Sequence, residues 1–152
     1  MSFLKAKPFM KHLLMGYWLV ISAFFFLFLL FTSVLKGQTF TILLTSNPTY
    51  TVSLLVTCLL LMMTSLFYYV RQISNSKQGL LGKFLLFAIV QQLLLFNFPG
   101  VLLAYLSYHF LDSHDCENPT TKQTWIVWAS AFALLLFSLL VTFLNLRLKG
   151  LN

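Results

Sequence analysis

The side chains able to do chemistry in this chain gather in two places. The first is the stretch 108–119, where His109, Asp112, His114, Asp115, Cys116 and Glu117 follow one another closely. Imidazole, thiolate and carboxylate are the N, S and O donors that zinc or copper takes. Their spacing here reproduces no strong metal motif, and a short acidic stretch ending in Asn118-Pro119 also suits a solvated or partner-contacting loop. The expectation is that no metal or cofactor is held, with His109, His114 and Cys116 as the weak ligand candidates.

The second place is Gln91-Gln92-Leu93-Leu94-Leu95-Phe96-Asn97-Phe98-Pro99-Gly100, three amides and a proline without a charge, inside an apolar run. On a continuous helix with a step of about 100° per residue, Gln92 and Pro99 share a face, Gln91 lies beside it and Asn97 points away. Pro99 removes a backbone donor and crowds the carbonyl of Leu95, and Gly100 loosens the helix further, so the pattern predicts a kink whose freed carbonyl needs a partner. Amides at this depth either bond to neighbouring helices, fixing packing or docking to another protein, or line a path for a solute or ion.

Catalytic chemistry finds little material. A serine-histidine-acid set would have to borrow everything from the one acidic loop, and there is no pair of intramembrane acids, glycine-rich phosphate loop or CxxC redox pair. A non-enzymatic protein is expected. The absence of an ionisable residue near the centre of any apolar run also argues against proton-coupled export.

The elements that must position these residues are set by composition. The 152 residues are 59% hydrophobic, 17% aromatic and 9% charged, far from the balance of a soluble domain. Runs such as Phe24-Phe25-Phe26-Leu27-Phe28-Leu29-Leu30 lack the alternation of a membrane β-barrel and fit helices, which pair their backbone amides internally. The pattern predicts one domain (residues 1–152): an all-α bundle of four transmembrane helices over 12–35, 50–70, 84–108 and 124–146. Span one is read as an uncleaved helix, because its apolar part is too long for a signal peptide. The stretch 36–49 is expected to hold an interfacial segment, with a short strand or re-entrant turn as alternatives, and Asn47-Pro48 to open span two.

Charge supplies orientation. In a four-span arrangement Lys5, Lys7, Lys11, Arg71, Lys77, Lys83, Arg147 and Lys149 fall on one side, and Lys36 and Lys122 on the other with all three acids. The positive-inside rule then places both termini in the cytoplasm, and the net charge of +7 carries topology with no nucleic-acid partner implied. Tyr17, Trp18, Tyr68 and Tyr69 are expected at the inner headgroup level; Tyr50, Tyr105, Tyr108, Trp125 and Trp128 belong at the outer one. Ala129 with Ala133, and Ser53 with Thr57, form small-xxx-small pairs expected to serve helix contacts within the bundle or a dimer face. Cys58 is expected to pack within the bundle, and Cys116 to remain free or pair with a partner chain.

Two functional expectations follow. The first is an accessory or regulatory subunit, including an immunity-type protein, of a bacterial cytoplasmic membrane, docking laterally on a larger membrane partner through Gln91, Gln92, Asn97 and Pro99. The second is a small oligomeric channel, holin-like pore or transporter whose path those amides line.

Overall fold

A computed structural model describes residues 3–111 and 119–150, with the side chains of residues 3–8 and 149 excepted. The described residues form α1 (Phe3–Leu35), α2 (Phe40–Ser46), α3 (Pro48–Ile73), α4 (Leu80–Leu94), α5 (Phe98–His109) and α6 (Thr121–Gly150), and no strand. The all-α expectation holds. Three of these helices, over Phe9–Leu35, Pro48–Ile73 and Thr121–Leu148, are long and apolar enough to cross a membrane.

α1 and α3 lie antiparallel. Near one end an Arg71 guanidinium nitrogen lies 3.1 Å from His12 Nε2, and near the other Lys36 Nζ donates to Tyr50 Oη at 3.2 Å. Between them Trp18 meets Phe67 edge-on at 5.7 Å, and Phe67 in turn stacks tilted on Phe84 of α4 at 6.2 Å. The core around these rings is apolar, with Leu14, Met63, Leu81 and Leu85 fully buried. Trp18 is therefore interior and Tyr17 half-buried against neighbouring helices, while Tyr68 and Tyr69 are exposed. Cys58, expected to pack inside, is instead exposed on α3.

The link from α1 to α3 closes as a helical corner. Gly37 takes φ of +59°, the left-handed position that ends a helix without a Cβ clash, and Gln38 N bonds back to the Ser33 carbonyl. The stretch 36–49 contains the short α2, which buries Leu43 and receives a bond from Thr51 Oγ1 to the Leu44 carbonyl. Asn47 caps α3 by accepting from Thr49 N at 2.9 Å, with Pro48 in the first turn, so the break expected at Asn47-Pro48 is the start of the helix itself.

The largest departure concerns residues 84–108. In place of one kinked helix there are two helices folded back on each other. α4 runs beside α6 in the same direction: Leu80 and Phe84 sit near Val127 and Ala131, Gln91 meets Ser138, and Leu94 meets Thr142. α5 then returns, its Asn97 beside Tyr17 of α1 and its Ser107 donating to the carbonyl of Met10 at 3.2 Å. At the end of that return Tyr108 lies under the Lys77 ammonium, 4.9 Å from ring centroid to Nζ. Lys77 lies three residues before the start of α4, so the pair forms a helical hairpin that begins and ends at the same end of the bundle. A rise of about 1.5 Å per residue makes α4 about 22 Å and α5 about 18 Å long.

One geometric consequence concerns α6. Since α4 is parallel to α1 and α6 is parallel to α4, the first residues of α1 and the last of α6 lie at opposite ends of the bundle. Four crossings would instead bring them to the same end.

Candidate functional site

The hairpin tip collects the polar residues that the apolar runs lack. α4 stops at Leu94 because Phe96 adopts φ of +55°, and Asn97 restarts the chain as the cap of α5, its Oδ1 accepting from Gly100 N at 3.3 Å. Pro99 lies within the first turn of α5, where its missing N–H costs no bond. The turn is closed by Leu95 N to the Gln91 carbonyl, Phe96 N to Leu93 and Asn97 N to Gln92, at 3.1, 3.0 and 2.9 Å. A non-glycine residue in the left-handed region carries roughly 1–2 kcal/mol of strain, which this turn must offset.

Side chains do so. Asn97 Nδ2 donates to Gln92 Oε1 at 2.6 Å, and Tyr17 Oη donates to Asn97 Oδ1 at 2.5 Å, so α1, α4 and α5 meet at one amide. The expected separation of Asn97 from Gln92 is thus reversed, because the break at Phe96 turns Asn97 back over the end of α4. Gly100 makes the contact possible: a Cβ there would stand 2.5 Å from Gln92 Oε1 and 2.8 Å from Asn97 Nδ2. On the other flank Gln91 Nε2 donates to Ser138 Oγ at 2.9 Å, and Ser138 passes its own proton to the Leu134 carbonyl at 2.8 Å. Of the carbonyls freed by the break, that of Leu94 finds a partner on α6. Thr142 Oγ1 approaches it at 3.0 Å and the Ser138 carbonyl at 2.8 Å, sharing one proton.

Gln91 and Gln92 have no exposed surface, and among the described residues Gln91 Oε1, Gln92 Nε2 and Trp18 Nε1 are buried without a partner. Phe96, Phe98 and Pro99, by contrast, are exposed, the two rings at 58% and 65%. Beside the tip a cavity of about 300 Å³ is lined by Tyr17, Ile21, Phe25, Leu60, Phe96 and Asn97, among others. The network consists of amides, hydroxyls and a phenol. It can donate and accept hydrogen bonds, and it offers no carboxylate, imidazole or thiol for proton transfer or covalent chemistry.

The other sequence candidates lie elsewhere. Ala129 and Ala133 are exposed on α6, outside the bundle core where internal packing would put them. Ala133 borders an apolar groove of about 790 Å³ between α3 and α6, with Ser65, Tyr69, Ser130 and Phe137. Ser53 and Thr57 spend their hydroxyls on their own helix, bonding the carbonyls of Thr49 and Ser53. His109 is exposed at the end of α5, edge-on to Phe110 at 5.6 Å. His114 and Cys116, with Asp112, Asp115 and Glu117, lie outside the described residues. Sequence reasoning missed Tyr17, Ser138 and Thr142, whose partners stand 80, 47 and 48 positions away.

No family model, no curated protein and no solved structure matches the chain.

Proposed function

We propose that this is a non-enzymatic integral membrane protein that crosses the bilayer three times and acts as an accessory or regulatory subunit, docking laterally on a membrane partner through its hairpin. α1, α3 and α6 make the crossings. Neither α4 nor α5 reaches the roughly 30 Å of a hydrocarbon core, so the hairpin enters part-way and leaves on the side it came from. Lys5, Lys7, Lys11, Arg71, Lys77, Lys83 and Lys122 then lie toward that side, and Lys36, Arg147 and Lys149 toward the other. The positive-inside rule makes the richer side cytoplasmic, which places the start of α1 inside and the end of α6 outside. A bacterial cytoplasmic membrane is the proposed location.

The observation that carries the docking reading is the uncovered tip. Irregular backbone at membrane depth is tolerated where protein or a water-filled cavity covers it. Here the turn at Leu95, Phe96 and Asn97 is flanked by exposed Phe96, Phe98 and Pro99. A partner surface seated there would cover the turn and bury both rings. Gln91, Gln92 and Asn97 would then serve docking indirectly, by holding the tip in shape.

The test is affinity isolation of the tagged chain from its native membrane in mild detergent, with quantitative mass spectrometry against Phe96→Ala/Phe98→Ala. Those rings are exposed, so the variant should fold. A near-stoichiometric membrane protein that is lost in the variant supports the reading; the same partners in both samples count against the tip as the docking surface. The second reading, an oligomeric pore or transporter, is favoured by the unpartnered Gln91 Oε1 and Gln92 Nε2. It requires self-association and solute flux in liposomes that Gln91→Leu/Gln92→Leu abolishes.

A further inference from the structure

We propose that the cavity at the hairpin tip is a binding site for a small, uncharged, amphipathic molecule carrying one hydroxyl group on a ring or short apolar body. The cavity lies between α1, α3 and the tip, and three of its lining residues, Leu95, Phe96 and Asn97, are the residues that break the helix. Its volume of about 300 Å³ exceeds the roughly 150 Å³ in which a ring the size of benzene is held by apolar walls alone. A monocyclic molecule with a short arm matches that space.

The walls define the chemistry. Ile21, Phe25, Val56, Leu60, Leu95 and Phe96 supply apolar surface, while Tyr17 and Asn97 are the two polar members. Among the described residues no charged side chain borders the space, so an ionised ligand would lose its hydration without a counter-charge. The polar pair is already oriented. Tyr17 gives its proton to Asn97 Oδ1, and Asn97 Nδ2 gives one of its two hydrogens to Gln92 Oε1. What remains is one amide hydrogen on Asn97 and the lone pairs on the Tyr17 oxygen. A hydroxyl satisfies both, accepting from the amide and donating to the phenol oxygen; a hydrocarbon satisfies neither, and a ketone or ether only the first. Half-open walls at Phe25 and Phe96, both exposed, let such a molecule arrive from the hydrocarbon phase.

Occupancy would press on Phe96 and on the Asn97 bonds that shape the tip, so a ligand here bears on the surface that the hairpin presents. The site itself stands independently of any protein partner, and its test uses the isolated chain.

The full ¹⁵N-labelled chain is placed in lipid nanodiscs and the Asn97 side-chain amide is followed by NMR during titration with benzyl alcohol, with ethylbenzene as the isostere lacking the hydroxyl, and with benzoate. The expected result is a saturable shift with benzyl alcohol, binding about tenfold weaker with ethylbenzene because one buried hydrogen-bond pair is missing, and no shift with benzoate. Val56→Phe should fill the space and abolish the shift, with Ile21→Phe as a second filling variant where the first does not fold. Equal affinity for alcohol and hydrocarbon, a linear unsaturable response, or binding that survives a folded filling variant would overturn the proposal.

Discussion

The seam between α1 and α3 and the hairpin of α4 and α5 solve the same problem, holding apolar helices together, in different ways. The seam is two long regular helices joined mainly by interlocked side chains, with Trp18 set edge-on against Phe67 and polar contacts at its ends through Arg71 and Lys36. The hairpin is two short helices joined by a strained turn, and its bonds lie in the middle: Tyr17 to Asn97, Asn97 to Gln92, Gln91 to Ser138 and Thr142 to Leu94. Lipid is as apolar as leucine, so apolar contact gains little over lipid contact and packing quality alone holds the seam. Hydrogen bonds between helices are directional, though each is worth only about 0.6 kcal/mol on average. They can hold a conformation, such as Phe96 at positive φ, that packing would not select.

The difference between seam and hairpin stands or falls on whether the chain turns back after α4. In a Cys58→Ala/Cys116→Ala background, single cysteines are introduced by Gln38→Cys, Gln78→Cys and Arg147→Cys, all at exposed positions, and probed with a membrane-impermeant thiol reagent. The hairpin predicts that Gln38→Cys and Arg147→Cys react from the same face and Gln78→Cys only from the other, an all-or-none contrast. Labelling of Arg147→Cys together with Gln78→Cys would restore four crossings and remove the hairpin.

A smaller effect is expected at the glycines. A Cβ added at Gly16 would meet nothing within 4 Å, whereas one at Gly100 would stand 2.5 Å from Gln92 Oε1. The Gln92 amide is the far end of a flexible side chain, but moving it surrenders its bond to Asn97. Gly100→Ala should therefore destabilise the protein by about 1–3 kcal/mol, as overpacking does. Gly16→Ala, in the open part of α1, should stabilise by up to about 1 kcal/mol through helix propensity. Unfolding in mixed micelles measures both, and similar values for the two would mean that the tip is looser than its geometry implies.

How far the sequence speaks is shown by two near-identical signals. Asn47-Pro48 reads as a breaker in the turn that feeds span two, and in the structure it is a cap with proline in the first turn of α3. Asn97-Phe98-Pro99-Gly100 carries the same grammar of a capping asparagine and early proline. Embedded in a long apolar run, it reads instead as a kink, because run length suggests a single crossing. Charge does not separate three crossings from four: moving Lys122 to the richer side and Arg147 with Lys149 to the poorer side leaves the basic bias pointing the same way. Helical class, the break ahead of α3 and the grouping of Gln91, Gln92 and Asn97 as polar residues in an apolar run are local properties and were legible. The partners Tyr17, Ser138 and Thr142 depend on the fold-back itself, and isolated hydroxyls in apolar helices carry no mark that separates a cross-helix bond from one to their own backbone.

That last distinction yields the smallest and most discriminating prediction. Ser138 and Thr64 are both buried, and each hydroxyl donates to a carbonyl one turn back, Leu134 and Leu60, at 2.8 Å. Only Ser138 also accepts from another helix, through Gln91 Nε2. Thr64→Val should change stability little, because the helix keeps its backbone bond when the hydroxyl leaves. Ser138→Ala strands a buried amide hydrogen and should cost about 0.6 kcal/mol, with roughly 1.7 as the upper end for such bonds. A double-mutant cycle with Gln91→Leu isolates the coupling. Coupling in that range would show polar bonds fixing the hairpin where apolar contact fixes the seam; coupling indistinguishable from zero would mean that the tip, like the seam, is held by packing.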